Sequence, residues 1–159
     1  MTIRSLNPNK PEIRKFCQVL STSAMKSLLK RYGFCTFHKD TQHFFVPSAQ
    51  NEIIVYDLRT AMRWKSLKGN DAKIECLAVQ DSGQILASFS RRNRELRFWR
   101  IGASGFFENL LRSSTELAKT VKVSEEIPAE TELKMNWLND KAIELSAQKV
   151  NWKLKLNGP

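Results

Sequence analysis

Five arginines within ten residues, Arg91, Arg92, Arg94, Arg97 and Arg100, are the sharpest local feature of the sequence. A guanidinium is planar, permanently charged and carries a fork of donors that fits carboxylates and phosphates. The run could therefore engage RNA, anionic lipid or an acidic protein surface, and these five are the candidate partner-binding residues. The plainer reading is a solvated rim, paired with Glu95 or with another element, because most charge runs are wet faces. Exposed rings near the run would favour RNA, since single-stranded RNA is read by stacking bases on aromatic side chains. Phe98 and Trp99 are adjacent, but their place in the strand pattern assigns both to packing.

The other chemistry-bearing residues do not assemble into sites. His38 and His43 do not have the spacing of a common metal motif, and no cysteine or third histidine joins them. Glu125 and Glu126 are neighbours in sequence, and neighbours on a strand point to opposite faces. The sequence holds no nucleophile elbow, phosphate-cradling glycine loop or zinc-protease helix motif. No catalytic residue, cofactor or metal is expected, and the chain reads as a non-enzyme. Three cysteines, Cys17, Cys35 and Cys76, are widely spaced and odd in number. They read as reduced thiols in a cytoplasmic chain rather than as a disulfide framework. No signal-peptide run and no apolar stretch long enough to span a bilayer is present.

The totals suit one soluble domain: 159 residues, 42% hydrophobic and 26% charged. A formal charge of +10, from 26 Lys and Arg against 16 Asp and Glu, favours acidic partners without choosing among them.

The elements that position the arginines are short strands. Residues 74–80 alternate apolar and polar, Asp81-Ser82-Gly83 is a turn signal, 85–90 is a second strand, and 96–101 is a third that carries Trp99. The same order occurs once earlier. Phe37 precedes Val79 by 42 residues, Ser48 precedes Ser90 by the same offset, and Tyr56 precedes Trp99 by 43. A repeat of about 40–45 residues with four strands per unit is the period of WD-repeat propeller blades. The strand Ile54-Val55-Tyr56-Asp57-Leu58-Arg59-Thr60 resembles the one that ends in Trp-Asp in that family, and Gly69-Asn70 stands where its Gly-His pair opens a unit. The resemblance covers residues 34–101 well and the C-terminal third loosely.

The reading is therefore an all-β, partial β-propeller of two to three WD-like four-stranded blades, with one or two short helices. Residues 1–33 form an irregular lead-in, with a short strand at 13–19 and a helix at 25–32. There Met25, Leu28, Leu29 and Tyr32 share one face, and a stripe so short suits packing on a sheet edge better than membrane insertion. The blades occupy 34–159, as units 34–68 and 69–101 and a weaker third unit at 119–156. A helical turn or two is expected at 106–111, a strand at 119–123, and a solvated acidic loop around Ile127-Pro128. In the last unit Leu133, Met135 and Trp137 alternate, Asn139-Asp140 turns, and Val150, Trp152, Leu154 and Leu156 alternate again.

The family resemblance also implies a lock in each blade, a hydrogen-bonded set of His, Asp, Ser or Thr, and Trp. Here Asn70 replaces the His, Asn93 holds the Asp position, and Arg100 follows Trp99 where the family has Asp. The lock is expected to be absent or rebuilt from amides. More weight then falls on packing by Leu77, Val79, Leu86, Phe89, Phe98 and Trp99. Propellers close with typically 4–8 blades, so these units read as the C-terminal part of a larger propeller. Its first and last sheets would leave apolar residues in water, and the isolated chain would self-associate or be only marginally stable.

The order of features, Arg14-Lys15-Phe16-Cys17, the strand ending Tyr56-Asp57-Leu58-Arg59-Thr60, residues 85–90 and Phe98-Trp99, is similar to the C-terminal end of the rabconnectin-3 beta-subunit family. That similarity implies a protein-interaction scaffold. Its partners would be upstream blades or other chains, among them a larger alpha partner. It would act in regulation of vacuolar proton pump assembly, on vesicle or endosome membranes. The alternative is a basic module for RNA or anionic lipid that uses the arginine rim.

Overall fold

The computed structural model describes residues 35–60, 62–101, 117–124, 127–128, 131–147 and 150–155. Among these residues the chain forms eleven strands in three antiparallel sheets and no helix. The first sheet runs in sequence order through β1 (Thr36–His38), β2 (His43–Pro47), β3 (Ile53–Asp57) and β4 (Met62–Leu67). The second runs through β5 (Cys76–Val79), β6 (Ile85–Ser90), β7 (Glu95–Arg100) and β8 (Leu117–Lys122). The third has β9 (Leu133–Asn139), β10 (Ala142–Ala147) and β11 (Val150–Lys155). The expected strand at 13–19 and the expected helices at 25–32 and 106–111 lie outside the described residues.

Each sheet is a meander of neighbouring antiparallel strands, and except for 101–116 between β7 and β8 the connections within the sheets are too short for a crossover to a parallel strand. The turns supply the backbone the strands cannot. Gly83 has φ +71°, and Gln42, Asn51 and Arg94 take left-handed conformations at φ 54°, 60° and 57°. Gly69, at φ +118°, turns the chain so that the following Asn70 reaches the second sheet.

Period-two alternation lets the middle sheet serve two seams. Leu77, Leu86 and Trp99 meet Phe45, Ile53, Val55 and Leu67 of the first sheet, with Val79 packed beside them. Cys76, Ala78, Ala87, Phe89, Leu96 and Phe98 point the other way, onto Met135, Ile143, Leu145 and Ala147 of the third. All six residues expected to pack between sheets do so, and they divide between the two seams.

One expectation is corrected. The strand expected at 119–123, at the head of the third unit 119–156, is β8, and it pairs with β7 as the fourth strand of the second sheet. Alternation marks a strand but carries no information about which sheet edge it joins. The expectation of apolar residues in water on the first and last sheets holds for Met62, Trp64 and Leu138, while the rest of their outer faces is covered or polar. On the far side of the first sheet Phe44 and Val46 are fully buried. The far side of the third sheet carries Lys134 and Asn136 on β9, Glu144 and Ser146 on β10, and Asn151 and Lys153 on β11, in matching cross-strand register. A polar outer face is how repeat arrays end in water. Among the described residues the exposed large apolar side chains are Met62, Trp64 and Leu138.

Candidate interaction surface

The five arginines do not form one patch. Arg91, Arg92 and Arg94 lie in the turn between β6 and β7, while Arg97 and Arg100 lie on β7 itself. At about 3.4 Å per residue, Arg100 stands roughly 17 Å along the strand from the turn. Arg91 is folded inward: Nε pairs with Glu75 at 3.0 Å, Nη2 donates to the Thr131 carbonyl at 2.7 Å, and Nη1 donates to the Pro128 carbonyl. Arg94 donates to the Ser124 carbonyl at 3.3 Å, and its own carbonyl accepts from Val123 N at 2.8 Å. These two arginines therefore tie the 123–131 segment, which leads into the third sheet, to the second.

Arg97 is buried and bridges Glu95 (2.6 Å) and Asp71 (2.7 Å). Burial works against its charge, but the bonds to Asp71 and Glu95 outweigh it and hold its pKa above the ordinary arginine value. Arg92 and Arg100 are exposed.

Beside Arg97 lies a rebuilt lock. Trp99 Nε1 donates to Ser88 Oγ at 2.8 Å, and Ser88 Oγ donates to Asn70 Oδ1 at 3.4 Å. Asn70 Oδ1 thus closes this hydrogen-bonded set, and its Nδ2 is buried without a partner. Arg97–Asp71 fastens the next residue of the same loop. Repeat alignment pairs Ser48 with Ser90 and passes over Ser88. Ser48 Oγ accepts from Gln50 N and Glu52 N, both at 3.2 Å, while Ser90 Oγ has no partner. The signal that could have found Ser88 is facing: it shares a face with Leu86 and lies directly across from Arg97.

Polar ties also run from sheet to sheet at the first turn of each. His38 Nδ1 accepts from Thr41 N at 3.2 Å, which leaves Nε2–H to donate to the Asp81 carbonyl at 2.7 Å. Gln80, 42 residues after His38, donates from Nε2 to the Asp140 carbonyl at 2.8 Å. The same position in two successive sheets therefore reaches the turn of the next. His38 lies so close to Gly83 that a Cβ there would fall 2.4 Å from the imidazole. His38 thus has a structural role.

His43 is buried, stacks on Trp64 at 4.2 Å and 14°, and has no partner on Nδ1. Burial lowers its pKa, Asp57 opposes the shift, and Arg59, Lys65 and His38 add to it. Burial pushes the Cys76 thiol up to about 12, so it stays protonated and unreactive. Among the described residues no group of three or more His, Cys, Asp or Glu side chains could hold a metal ion. No helix among them is long and apolar enough to cross a membrane.

No protein-family model and no curated protein matches the chain. Solved structures do. The chain is similar to the beta-propeller domain of Myceliophteria thermophila Cps50 (Swd1), with TM-score 0.57 and 12% identity over 79% of this chain and 36% of that one. It is similar to Kluyveromyces lactis Hsv2, with TM-score 0.66 and 14% identity over 79% of this chain and 42% of that one. A chain of the mitotic checkpoint complex aligns with TM-score 0.56 and 14% identity over 77% of this chain and 33% of that one. The chain spans less than half the length of each. The fold is a partial WD-type β-propeller.

Proposed function

We propose that the chain is a non-catalytic propeller scaffold whose work is protein–protein contact. The observation that carries this reading is the stack of three blade-like sheets, similar in fold to propellers of which the chain covers less than half. Residues 34–159 are taken as the blade-bearing region and 1–33 as its lead-in. Fold alone does not choose a partner. The sequence resemblance to the rabconnectin-3 beta-subunit end supports a narrower version. In it the chain works in the cytoplasm, peripheral to vesicle or endosome membranes. It would join a larger alpha partner in regulation of vacuolar proton pump assembly.

The test is affinity purification of the tagged chain, within its parent protein, from cells, with quantitative mass spectrometry. Enrichment of a rabconnectin-type alpha partner and of pump subunits is the expected result. A stoichiometric complex with neither would remove the narrower version, and no complex at all would remove the scaffold reading.

A second reading keeps the basic rim in reduced form. The net charge of +10 and the exposure of Arg92 and Arg100 favour it. With Arg91 and Arg97 held by internal partners, the outward-facing cations are fewer than the sequence suggests. Binding to RNA or anionic vesicles should then show a shallow dependence on salt, because few phosphates are neutralised.

A further inference from the structure

The two histidines of the chain, His38 and His43, face each other across the β1–β2 ladder. Both are buried, each only 7% exposed. Facing side chains of an antiparallel pair hold their Cβ atoms about 4.5–5.5 Å apart. By alternation the two imidazoles lie on the face of the first sheet that meets the second, together with Phe45 and Val55.

The second sheet has the same two positions without a histidine. At the repeat offset of 42, Gln80 stands for His38 and Ile85 for His43. Gln80 N donates to the Ile85 carbonyl at 2.9 Å, and Gln80 Nε2 reaches the turn of the third sheet. A sheet of this fold therefore accepts an amide and an aliphatic side chain there. Facing imidazoles are particular to the first sheet.

The two rings are held differently. His38 uses both nitrogens: Nδ1 accepts from Thr41 N at 3.2 Å, and Nε2–H donates to the Asp81 carbonyl at 2.7 Å, which ties the first sheet to the second. A proton added at Nδ1 would find Thr41 Oγ1 at 2.9 Å but would displace the Thr41 amide. His43 has the opposite condition. Its Nδ1 is buried without a hydrogen-bond partner, and its ring is stacked on Trp64 at 4.2 Å and set edge-on to Phe45 at 6.3 Å.

The groups around His43 do not welcome a cation. Asp57 on β3 lies directly across from it, but Asp57 Oδ1 accepts from Arg59 Nε at 3.0 Å and Oδ2 from Arg59 Nη2 at 2.7 Å. Burial most of all, then Arg59 after β3, Lys65 on β4 and His38 on β1, oppose protonation, and Asp57 favours it. The balance keeps His43 neutral to lower pH than an ordinary histidine, which titrates near about 6.5. Below that value the native state binds fewer protons here than the unfolded chain. The stability contributed by neutral His43 is therefore complete above about pH 6.5 and is lost as pH falls through its lower native value.

We propose that the His38–His43 pair is an acid-sensitive latch: protonation of His43 parts the β1–β2 hairpin from the second sheet, while the boundary between the second and third sheets, made with Gln80 and Ile85, stays closed. The buried imidazolium gains water only by leaving the Trp64 stack, and the strand facing it carries His38 off the Asp81 carbonyl. The device goes beyond the scaffold reading and holds whichever partner the scaffold takes.

The test follows the 15N-labelled chain by NMR from about pH 8 to about pH 5, the range in which histidines change charge. Its two imidazole signals are assigned with His38→Gln and His43→Phe. The His43 signal should titrate below the ordinary histidine range. Native-state amide exchange, corrected for its intrinsic pH dependence, should lose at least about tenfold more protection in β1 and β2 than in β9 and β10 across that range. His43→Phe keeps an aromatic ring against Trp64 and should abolish the difference. His43→Ile carries the side chain found at the matching position of the second sheet and should do the same, so a phenyl ring that packs badly does not end the test. His38→Gln carries the side chain found at position 80 and should retain the difference, because His43 still titrates. A His43 signal in the ordinary range, equal loss of protection in all three sheets, or an undiminished difference in both His43 variants would each overturn the proposal. Loss of the difference in His38→Gln would put the trigger at His38 and overturn its assignment to His43.

Discussion

Arg97 and Arg92 are five residues apart in one run, yet their surroundings give them opposite roles. Arg97 is buried against Glu95 and Asp71, while Arg92 is exposed in the β6–β7 turn. Hydrogen bonds to charged groups contribute about 1.5–3 kcal/mol when buried, but Asp71 is 76% exposed, so solvent screens part of this. Arg97→Gln is expected to cost about 2 kcal/mol in denaturant unfolding. Arg92→Gln should change stability by less than about 0.5 kcal/mol. Equal effects would mean that the Asp71–Arg97–Glu95 bridge contributes nothing in solution. The sequence marks all five arginines equally, because charge density is visible in sequence and the partner of each charge is not.

Among the elements, β6 and β7 show how alternation assigns tasks. Leu86, Ser88 and Ser90 alternate with Ile85, Ala87 and Phe89, so one face of β6 meets the first sheet and the other meets the third. Ser88 sits on the first of these faces, under the Trp99 indole. Ser88→Ala would leave a buried Trp99 Nε1–H without its acceptor and Asn70 without its donor, a loss of about 1–3 kcal/mol. Ser90 Oγ is buried with no partner, so Ser90→Ala should be near neutral or slightly stabilising. Thermal unfolding of the two variants side by side checks the pair. A larger loss at Ser90 would contradict the observed lock. Repeat spacing favours Ser90, since it counts residues and is blind to which face of the strand each occupies.

At the scale of the whole molecule, two apolar seams join three sheets, and polar ties from His38 and Gln80 cross the same boundaries. Each seam buries side chains from both of its sheets, so neither sheet keeps its core if the other opens. Trp99 reports the seam between the first and second sheets, and Trp137 the seam between the second and third. Variants that retain only one of these tryptophans should give coincident denaturant midpoints by fluorescence, the signature of one cooperative unit. Separated midpoints would show that the third sheet opens on its own. The far face of that sheet is largely polar, with Lys153 and Glu144 3.9 Å apart.

The sequence by itself determined the all-β class, the 42-residue offset of the first two units, the turns, and the side chains that fill the seams. These follow from local causes: alternation sets facing, Gly83 and its neighbours set the turn, and β-branched residues such as Ile54 and Val55 favour the strand. The resemblance to WD blades left the lock either absent or rebuilt from amides, and the bond from Ser88 to Asn70 is what the structure adds. Only the tertiary structure decided that β8 joins the second sheet, that Ser88 rather than Ser90 closes the lock, and that Arg91, Arg94 and Arg97 turn inward to hold loops. It alone placed Trp64 on a bulge whose counterpart in the next sheet is Ala118. Each of these depends on which distant segment lies alongside, and neither composition nor period carries that information, because the same alternating strand can pair at any free edge.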